Sequence, residues 1–261
     1  TRYISVTGVQ TCALPIFGVD DPWCQEIVTE MLGEQRQIVR PISSGRTVGR
    51  GVYALEDMLY DATGASAVEV ADLSRARSLP GRHNAQNAAA AYAAVRALGL
   101  SADDAADGLL SFPGLAHRME EVGRAGRVRF VNDSKATNAD AARQALASYP
   151  KVFWIAGGKP KEGGIDSLTD LFPRVSKAYL IGEAAEAFAV TLGPTPHVLA
   201  HDLDTAVGLA YADAAATGED AVVLLSPACA SFDQFKDFEA RGDAFRAAVQ
   251  ALGAETKAAL A

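Results

Sequence analysis

Several residue types and sequence patterns are scarce or absent in this chain, and each absence excludes a class of function. The 261 residues include three cysteines, whose wide spacing excludes a disulfide framework and a cysteine metal site: Cys12, Cys24 and Cys229. The longest apolar runs fall far short of the ~18 residues that a membrane-spanning helix needs, so we expect no membrane partner. Neither Gly-x-Gly-x-x-Gly nor Gly-x-x-x-x-Gly-Lys-Ser/Thr occurs, which argues against a dinucleotide site and a Walker A loop.

The charge balance is acidic, with 24 Lys and Arg against 32 Asp and Glu and a formal net charge of −8. An acidic chain repels phosphates, so we expect no nucleic-acid partner and a cytoplasmic location. Hydrophobic residues make up 49% and charged residues 21% of the chain, which is typical of a globular protein. Acidic ligands of such a protein must be bound by individual lysines and arginines in its loops.

The second half of the chain alternates short apolar runs with helical segments. We predict strands at 127–131, 151–156, 177–182, 197–200 and 221–225, and helices near 139–146, 183–192, 203–216 and 238–252. This alternation is typical of an α/β fold with a Rossmann-like, mostly parallel, doubly wound sheet. Upstream, we predict a small sheet from 37–42, 51–55 and 67–71, with helices at 23–32, at 101–110 and from an Asn84 cap to about Leu98.

The most informative stretch runs from Leu225 to Gly242. A buried strand ends at Ser226-Pro227, small residues follow, and an amphipathic helical segment is predicted from Phe232. The Ser231 hydroxyl and the backbone N–H groups of a helix N-terminus suit a carboxylate or a phosphate. The simpler interpretation is an ordinary strand-to-helix connection whose aromatic side chains lie in the core: Phe232, Phe235 and Phe238.

Two other loops follow predicted strands and carry cations. The loop 132–138 reads Asn-Asp-Ser-Lys-Ala-Thr-Asn, which has more polar side chains than a helix cap requires. The loop 157–164 is rich in glycine, which allows the backbone to approach a ligand closely, and it contains Lys159 and Lys161. A flexible, solvated loop explains the second pattern equally well.

The string Ser-Pro-Ala-Cys-Ala-Ser-Phe-Asp-Gln-Phe-Lys-Asp-Phe-Glu-Ala-Arg-Gly at 226–242 resembles a signature of the D-glutamate-adding members of the Mur ligase family. His83-Asn84-Ala-Gln-Asn87 and the stretch 112–121 are also similar to that family. The resemblance implies a C-terminal remnant of the ATP-binding central domain at 17–114 and the family's C-terminal domain at 115–261. The stretch 112–121 would be the inter-domain hinge and the first strand of the second domain.

The resemblance also implies a reaction. ATP phosphorylates the carboxylate of UDP-N-acetylmuramoyl-L-alanine, and the amine of D-glutamate attacks the acyl phosphate to form an amide. A carboxylate needs this activation because it is a poor electrophile without a leaving group. The implied cofactors are ATP and Mg²⁺, the implied partners are these small molecules alone, and we expect a monomer.

Individual site residues follow from the resemblance. It implies ATP contacts from Asn84, Asn87, Arg118 and Asp133, catalytic roles for Lys135 and His117, and substrate contacts from Thr137, Lys161, Ser231, Phe232 and Phe238. Simpler roles stay open: a helix cap and an exposed amide for the two asparagines, a surface salt bridge for Arg118, and a structural imidazole for His117. No metal ligands are assigned within the chain.

The family's Walker A loop, its Mg²⁺ ligands and its carbamylated lysine are expected upstream of Phe17. Residues 1–16 fit nothing that follows them and resemble a translated sequencing adaptor, so we interpret them as non-native. We therefore expect this polypeptide to be inactive alone, with a folded C-terminal domain. We expect the central remnant to be loosely packed, with exposed apolar surface.

Two other functions remain open from the sequence. The same loops would serve a non-catalytic α/β module that binds an acidic amino acid or a nucleotide. A related amide ligase, such as a folylpolyglutamate synthetase, shares the implied architecture, although the string at 226–231 argues against it.

Overall fold

A computed structural model describes residues 14–34, 38–76 and 78–256. Contacts divide the chain into two compact units between Phe112 and Pro113. This division lies two residues before the boundary expected from the sequence. Each unit is described separately below.

In its described residues, the first unit is a five-stranded sheet with three α-helices. Its strands lie in the order β1-β2-β3-β4-β5, with parallel pairing from β1 to β3 and antiparallel pairing from β3 to β5. The elements are β1 (Ile16–Gly18), α1 (Pro22–Glu34), β2 (Arg40–Ser43), β3 (Val52–Leu55), β4 (Met58–Asp61), β5 (Val68–Asp72), a 3₁₀ turn (Leu73–Arg75), α2 (Arg82–Ala97) and α3 (Ala102–Leu110).

Two local predictions for this unit need correction. Strand β4 was not predicted, because its turn uses Glu56 and Asp57 at φ 49° and 65° rather than the glycine or asparagine that such turns favour. The expected Asn84 cap of α2 is wrong, since Gly81 is the N-cap and Asn84 lies in the first turn. The Asn84 amide instead donates to the Pro80 carbonyl at 2.8 Å.

The first unit has a small core and a substantial exposed apolar surface. Tyr92 of α2 is buried and donates its hydroxyl to Asp61 at 2.9 Å, which ties α2 to β4. Large apolar side chains nevertheless face solvent, with Trp23 75% and Leu98 81% exposed. The expected apolar surface is therefore present in this unit. The other exposed large apolar side chains of this unit include Ile27, Leu32, Ile38, Val68, Leu100 and Phe112.

The segment interpreted as non-native is described only at its end. Residues 1–13 lie outside the described residues, as does Gln37 at the start of a predicted strand. Ile16, the last residue of that segment, already belongs to β1 and pairs with Arg40 of β2.

The second unit is a seven-stranded sheet in the order β10-β9-β8-β11-β7-β6-β12. Strands β7 to β11 run parallel, and β6 and β12 form an antiparallel edge. The elements are β6 (Glu120–Ala125), β7 (Val128–Asn132), α4 (Ala139–Ala147), β8 (Val152–Gly157), a 3₁₀ helix (Asp166–Arg174), β9 (Val175–Ile181), α5 (Ala185–Leu192), β10 (His197–His201), α6 (Leu203–Ala216), β11 (Ala221–Leu225), α7 (Phe238–Ala251) and β12 (Glu255–Thr256).

Apolar side chains cover both faces of this sheet, as the continuous apolar strands predict. Trp154 of β8 packs on one face with residues of α4, the 3₁₀ helix and α5. The next residue, Ile155, packs on the other face with residues of α6 and α7. The predicted mostly parallel, doubly wound fold is thus confirmed for this unit.

The structure refines the sequence predictions for this unit. Within the stretch 112–121, predicted to contain the hinge and the first strand, the strand begins at Glu120. The 3₁₀ helix, which contains Pro173, was not predicted. Helix α7 begins at Phe238, because Asp237 caps it by accepting from Ala240 N at 2.7 Å. This start confirms the predicted helix near 238–252, whereas the helical segment expected from Phe232 is wrong.

Residues 231–237 instead form a folded loop. The Ser231 carbonyl accepts from Gln234 N at 3.1 Å and from Phe235 N at 2.8 Å. Phe235 packs against the core, whereas Phe232 is 68% exposed, so the core interpretation fails for Phe232. Among the described residues, no helix is both long and apolar enough to cross a membrane.

We predict that residues 113–261 fold without the first unit, because both faces of their sheet carry their own apolar cores. Urea unfolding of this piece, followed by circular dichroism, should show one cooperative transition. Residues 17–112 alone should bind a hydrophobic dye through their exposed apolar side chains. A broad, non-cooperative transition for residues 113–261 would contradict the prediction.

Candidate functional site

Buried Arg241 joins two of the loops that follow the parallel strands. It projects from α7 and is 1% exposed. Its Nε donates to Ser134 Oγ at 3.0 Å and its Nη2 to the Ser134 carbonyl at 2.9 Å. The guanidinium also donates to the carbonyls of Cys229 at 3.1 Å and Ala230 at 3.3 Å. One side chain thus holds the loop 132–138 against the loop 226–237.

The acceptors of Arg241 are neutral: three carbonyls and one hydroxyl. Burial lowers the pKa of Arg241 to about 10, so the side chain stays charged at neutral pH. A buried cation of this kind depends on its hydrogen bonds for compensation. The sequence carried a signal that we did not use, since position 241 shares the buried face of α7 with Phe245 and Val249.

The loop 226–237 is also fixed on its other side. The Asp233 carboxylate accepts from Glu183 N at 3.0 Å, and Gln234 Nε2 donates to the His201 carbonyl at 2.8 Å. These contacts link the loop to the ends of β9 and β10. Ser231 is buried at its base, and Phe232 is presented to solvent.

Glycine allows the loop 157–164 to pack against its neighbour. Gly158 has φ 129°, and a Cβ there would lie 2.4 Å from the Ala230 carbonyl. Lys159 N donates to that same carbonyl at 2.9 Å. Lys159 and Lys161 are exposed, so both cations lie on the surface at this edge of the sheet. The Cys229 thiol between these loops is buried, and burial raises its pKa to about 12.

In the loop 132–138, Asp133 points inward. Its carboxylate accepts from Met119 N at 3.2 Å and from Ser226 Oγ at 2.8 Å. Burial raises the pKa of Asp133 to about 7, although both hydrogen bonds and the charge of Arg118 oppose the rise. The expected contact of Asp133 with ATP ribose stays a prediction.

Phe238 connects two of the predicted catalytic residues. The exposed Lys135 places its Nζ 4.0 Å from the centre of the Phe238 ring, which is a cation–π contact. The His117 imidazole meets the same ring edge-on, with the ring centres 6.3 Å apart. The Phe238 carbonyl accepts from Ser134 Oγ at 2.8 Å. Phe238 therefore contacts both Lys135 and His117.

The structure brings most of the predicted residues to one edge of the second sheet. His117, Arg118, Asp133, Lys135 and Phe238 form one connected group. Thr137, Lys161, Ser231 and Phe232 lie on loops at the carboxyl ends of neighbouring strands.

The two predicted asparagines belong to the first unit. Asn84 is buried, and Asn87 is exposed and donates its amide to Asn84 Oδ1 at 3.3 Å. Their contact with adenine stays a prediction.

In the ranges 14–34, 38–76 and 78–256, no group of three or more His, Cys, Asp or Glu side chains is arranged to hold a metal ion. We therefore assign no metal ligand within these ranges.

We predict that Arg241→Lys destabilises the chain by about 2–4 kcal/mol, because an ammonium cannot replace the planar set of hydrogen bonds in a buried site. The matched control is Arg127→Lys, at an exposed ion pair with Asp220, which should change stability by less than about 0.5 kcal/mol. Urea unfolding measures both. If Arg241→Lys and Arg127→Lys lowered the free energy of unfolding equally, Arg241 would not be the residue that holds the two loops together.

We predict that Asp133 makes stability fall as pH rises. Its folded pKa of about 7 exceeds the unfolded value, so its stabilising contribution is complete below about pH 4 and is lost as pH rises through about 7. Asp133→Asn should therefore gain stability relative to the parent chain between pH 5 and pH 8, by up to ~3 kcal/mol.

The midpoint of urea unfolding, measured at several pH values in this range, reports the effect. The control is Asp220→Asn, which makes the same change in net charge at an exposed carboxylate. If the difference in stability between Asp133→Asn and the parent chain did not change with pH, the raised pKa of Asp133 would be contradicted.

Known proteins resemble this chain in sequence. Residues 117–229 match the family model described as Mur ligase, glutamate ligase domain. The UDP-N-acetylmuramoylalanine–D-glutamate ligase of Caulobacter sp. (strain K31) is 70% identical over 239 residues, which cover 91% of this chain and 51% of that protein. The ligase of the same name from Phenylobacterium zucineum (strain HLK1) is 66% identical over 238 residues, with 91% and 51% coverage. The chain spans about half the length of the curated relatives it matches.

Solved structures share the fold at much lower identity. The UDP-N-acetylmuramate–alanine ligase MurC of Thermotoga maritima has a TM-score of 0.57 and 15% identity, and the match covers 92% of this chain and 52% of that chain. MurF of Acinetobacter baumannii has a TM-score of 0.56 and 20% identity, with 82% and 48% coverage. The sequence relatives confirm the resemblance seen in the string at 226–242. The solved structures show that the fold is shared.

Proposed function

We propose that this chain is part of an ATP-dependent ligase that adds D-glutamate to UDP-N-acetylmuramoyl-L-alanine in peptidoglycan synthesis. The observation that carries the proposal is the cross-linking of two loops by Arg241 at the carboxyl ends of the parallel strands. Ligands of open α/β sheets bind at these ends. The curated relatives named above support the choice of reaction.

The reaction requires two transfers. The carboxylate oxygen of UDP-N-acetylmuramoyl-L-alanine attacks the γ-phosphorus of ATP, and ADP leaves. The amine nitrogen of D-glutamate then attacks the acyl carbon, the phosphate leaves with the bonding electrons, and the nitrogen loses its proton. Every species carries negative charge, so catalysis consists mainly of positioning and of charge stabilisation by cations.

The exposed cations support specific roles. We propose that Arg118 and Lys135 stabilise the charge on the phosphates, because they lie on adjoining segments and Lys135 N donates to the His117 carbonyl at 3.0 Å. Lys161 would pair with a carboxylate of D-glutamate, and Ser231, Phe232 and Thr137 would border that substrate. In a chain of net charge −8, these cations are what makes the site attractive to acidic substrates.

Asn84 and Asn87 would contact adenine, and Asp133 would contact the ribose. Mg²⁺ is the metal this chemistry uses, and its ligands would come from outside the described residues. We further propose that the protein acts in the cytoplasm as a monomer.

We predict that a ligase containing this chain releases phosphate only with ATP, Mg²⁺, UDP-N-acetylmuramoyl-L-alanine and D-glutamate together. Lys161→Met should raise the KM for D-glutamate about tenfold, equivalent to ~1.4 kcal/mol, with a smaller effect on the KM for ATP. Lys151→Met is the control, because Lys151 lies at the opposite, amino end of β8.

The 261 residues alone should release no phosphate. Turnover by them alone, or an equal rise of both KM values in Lys161→Met, would contradict the assignment. Binding of D-glutamate without any turnover in the longer protein would favour a binding module.

A further inference from the structure

The backbone around Arg118 has an unusual conformation. The residues on either side of it, His117 and Met119, have φ values of 61° and 47°. Non-glycine residues rarely adopt this left-handed region, and they keep it only where the surrounding structure enforces it. We call residues 117–119 the Arg118 bend.

Hydrogen bonds fix the backbone of the bend on both sides. His117 N donates to Glu120 Oε2 at 2.9 Å, and the His117 carbonyl accepts from Lys135 N at 3.0 Å. Met119 N donates to Asp133 Oδ1 at 3.2 Å. The Arg118 side chain, by contrast, is exposed. The bend is therefore anchored at each end and presents one cation to solvent.

The imidazole of His117 is buried under the bend and is held by Asn132. Asn132 Nδ2 lies 3.1 Å from His117 Nδ1 and donates to the Gly242 carbonyl at 3.0 Å. Asn132 Oδ1 accepts from Ser134 N at 3.2 Å. The Asn132 nitrogen has an acceptor and the Asn132 oxygen has a donor, so the orientation of the amide is fixed. The nitrogen therefore also donates to His117 Nδ1, which is an acceptor. The imidazole proton then lies on Nε2, which is 3.7 Å from Asp243 Oδ1.

Helix α7 closes the other side of the ring. A Cβ at Gly242 would lie 2.1 Å from His117 Nδ1, so the imidazole packs where glycine leaves room. Arg246 of the same helix donates to both oxygens of Glu120 at 3.0 Å and to Asp243 at 2.7 Å. The bend is thus bound to α7 through its imidazole and through Glu120.

We propose that His117 is a positioning residue that holds the Arg118 bend, and that Asn132 is a second positioning residue that sets the tautomer of His117. The ring is buried, and its two nitrogens face Asn132 and Asp243. This proposal assigns His117 the structural role that the sequence left open, in place of a catalytic one. The link from Arg118 to ATP rests on the proposed function, whereas the tautomer and the anchoring of the bend do not.

The first test is nitrogen NMR of the histidines in the 261-residue chain at neutral pH. We expect His117 to be unprotonated at Nδ1 and protonated at Nε2. In Asn132→Asp, which offers an acceptor in place of the donor, Nδ1 should become protonated. A parent chain with the proton on Nδ1, or an unchanged tautomer in Asn132→Asp, would overturn the role of Asn132.

The second test is amide hydrogen exchange of Met119 and Lys135. His117→Asn keeps an acceptor near the position of Nδ1 and tolerates a positive φ, so it should retain protection. His117→Gln places its acceptor elsewhere and should lower protection at both amides at least tenfold. Equal protection in the two variants would overturn the anchoring role, whatever the activity of the protein.

The functional test uses a ligase that contains this chain. A positioning role predicts that His117→Asn retains most activity and the parental pH–rate profile. It also predicts that His117→Gln raises the KM for ATP and that this rise does not add to that of Arg118→Ala. Loss of one limb of the pH–rate profile in both His117 variants would instead identify His117 as the proton-transfer group.

Discussion

The interaction on which the second unit depends is the set of hydrogen bonds made by one buried cation. Three carbonyl groups and a hydroxyl group take the place of the water that would hydrate the Arg241 guanidinium. They come from two loops that are far apart in sequence. A buried charge is tolerated only where such partners are complete, so both loops must adopt their observed conformations together. The fold itself therefore sets the arrangement of Ser134, Cys229 and Ala230, and no bound ligand is needed for it.

This constraint separates the roles of buried and exposed polar groups at the site. The side chains that fix the loops are buried and engaged with the protein: Arg241, Asn132, Asp133 and His117. The cations suited to acidic substrates are exposed at the same edge: Arg118, Lys135, Lys159 and Lys161. Preorganised loops that carry exposed cations suit chemistry in which positioning and charge stabilisation do most of the work.

The sequence predicted the class of the fold, because it depends on local patterns, and most residues of its candidate site lie at one edge of the second sheet. Continuous apolar strands such as 221–225 indicate burial on both faces, and polar loops that follow them mark the ligand-binding edge. It failed where local residues are unusual or where distant residues decide. Residues 232–237 form a folded loop despite their aromatic spacing, and Glu56-Asp57 form a hairpin turn without the usual residues. The packing of His117 on Gly242 joins residues more than a hundred positions apart, which no local pattern reveals.

The most direct test of the account is amide hydrogen exchange across the second unit in Arg241→Lys and in the parent chain. If Arg241 couples the two loops, residues 133–137 and 229–235 should lose protection together and by similar factors, while α6 keeps its protection. Loss of protection in one loop alone, or a uniform loss across the whole unit, would contradict the claim that this side chain holds the site together.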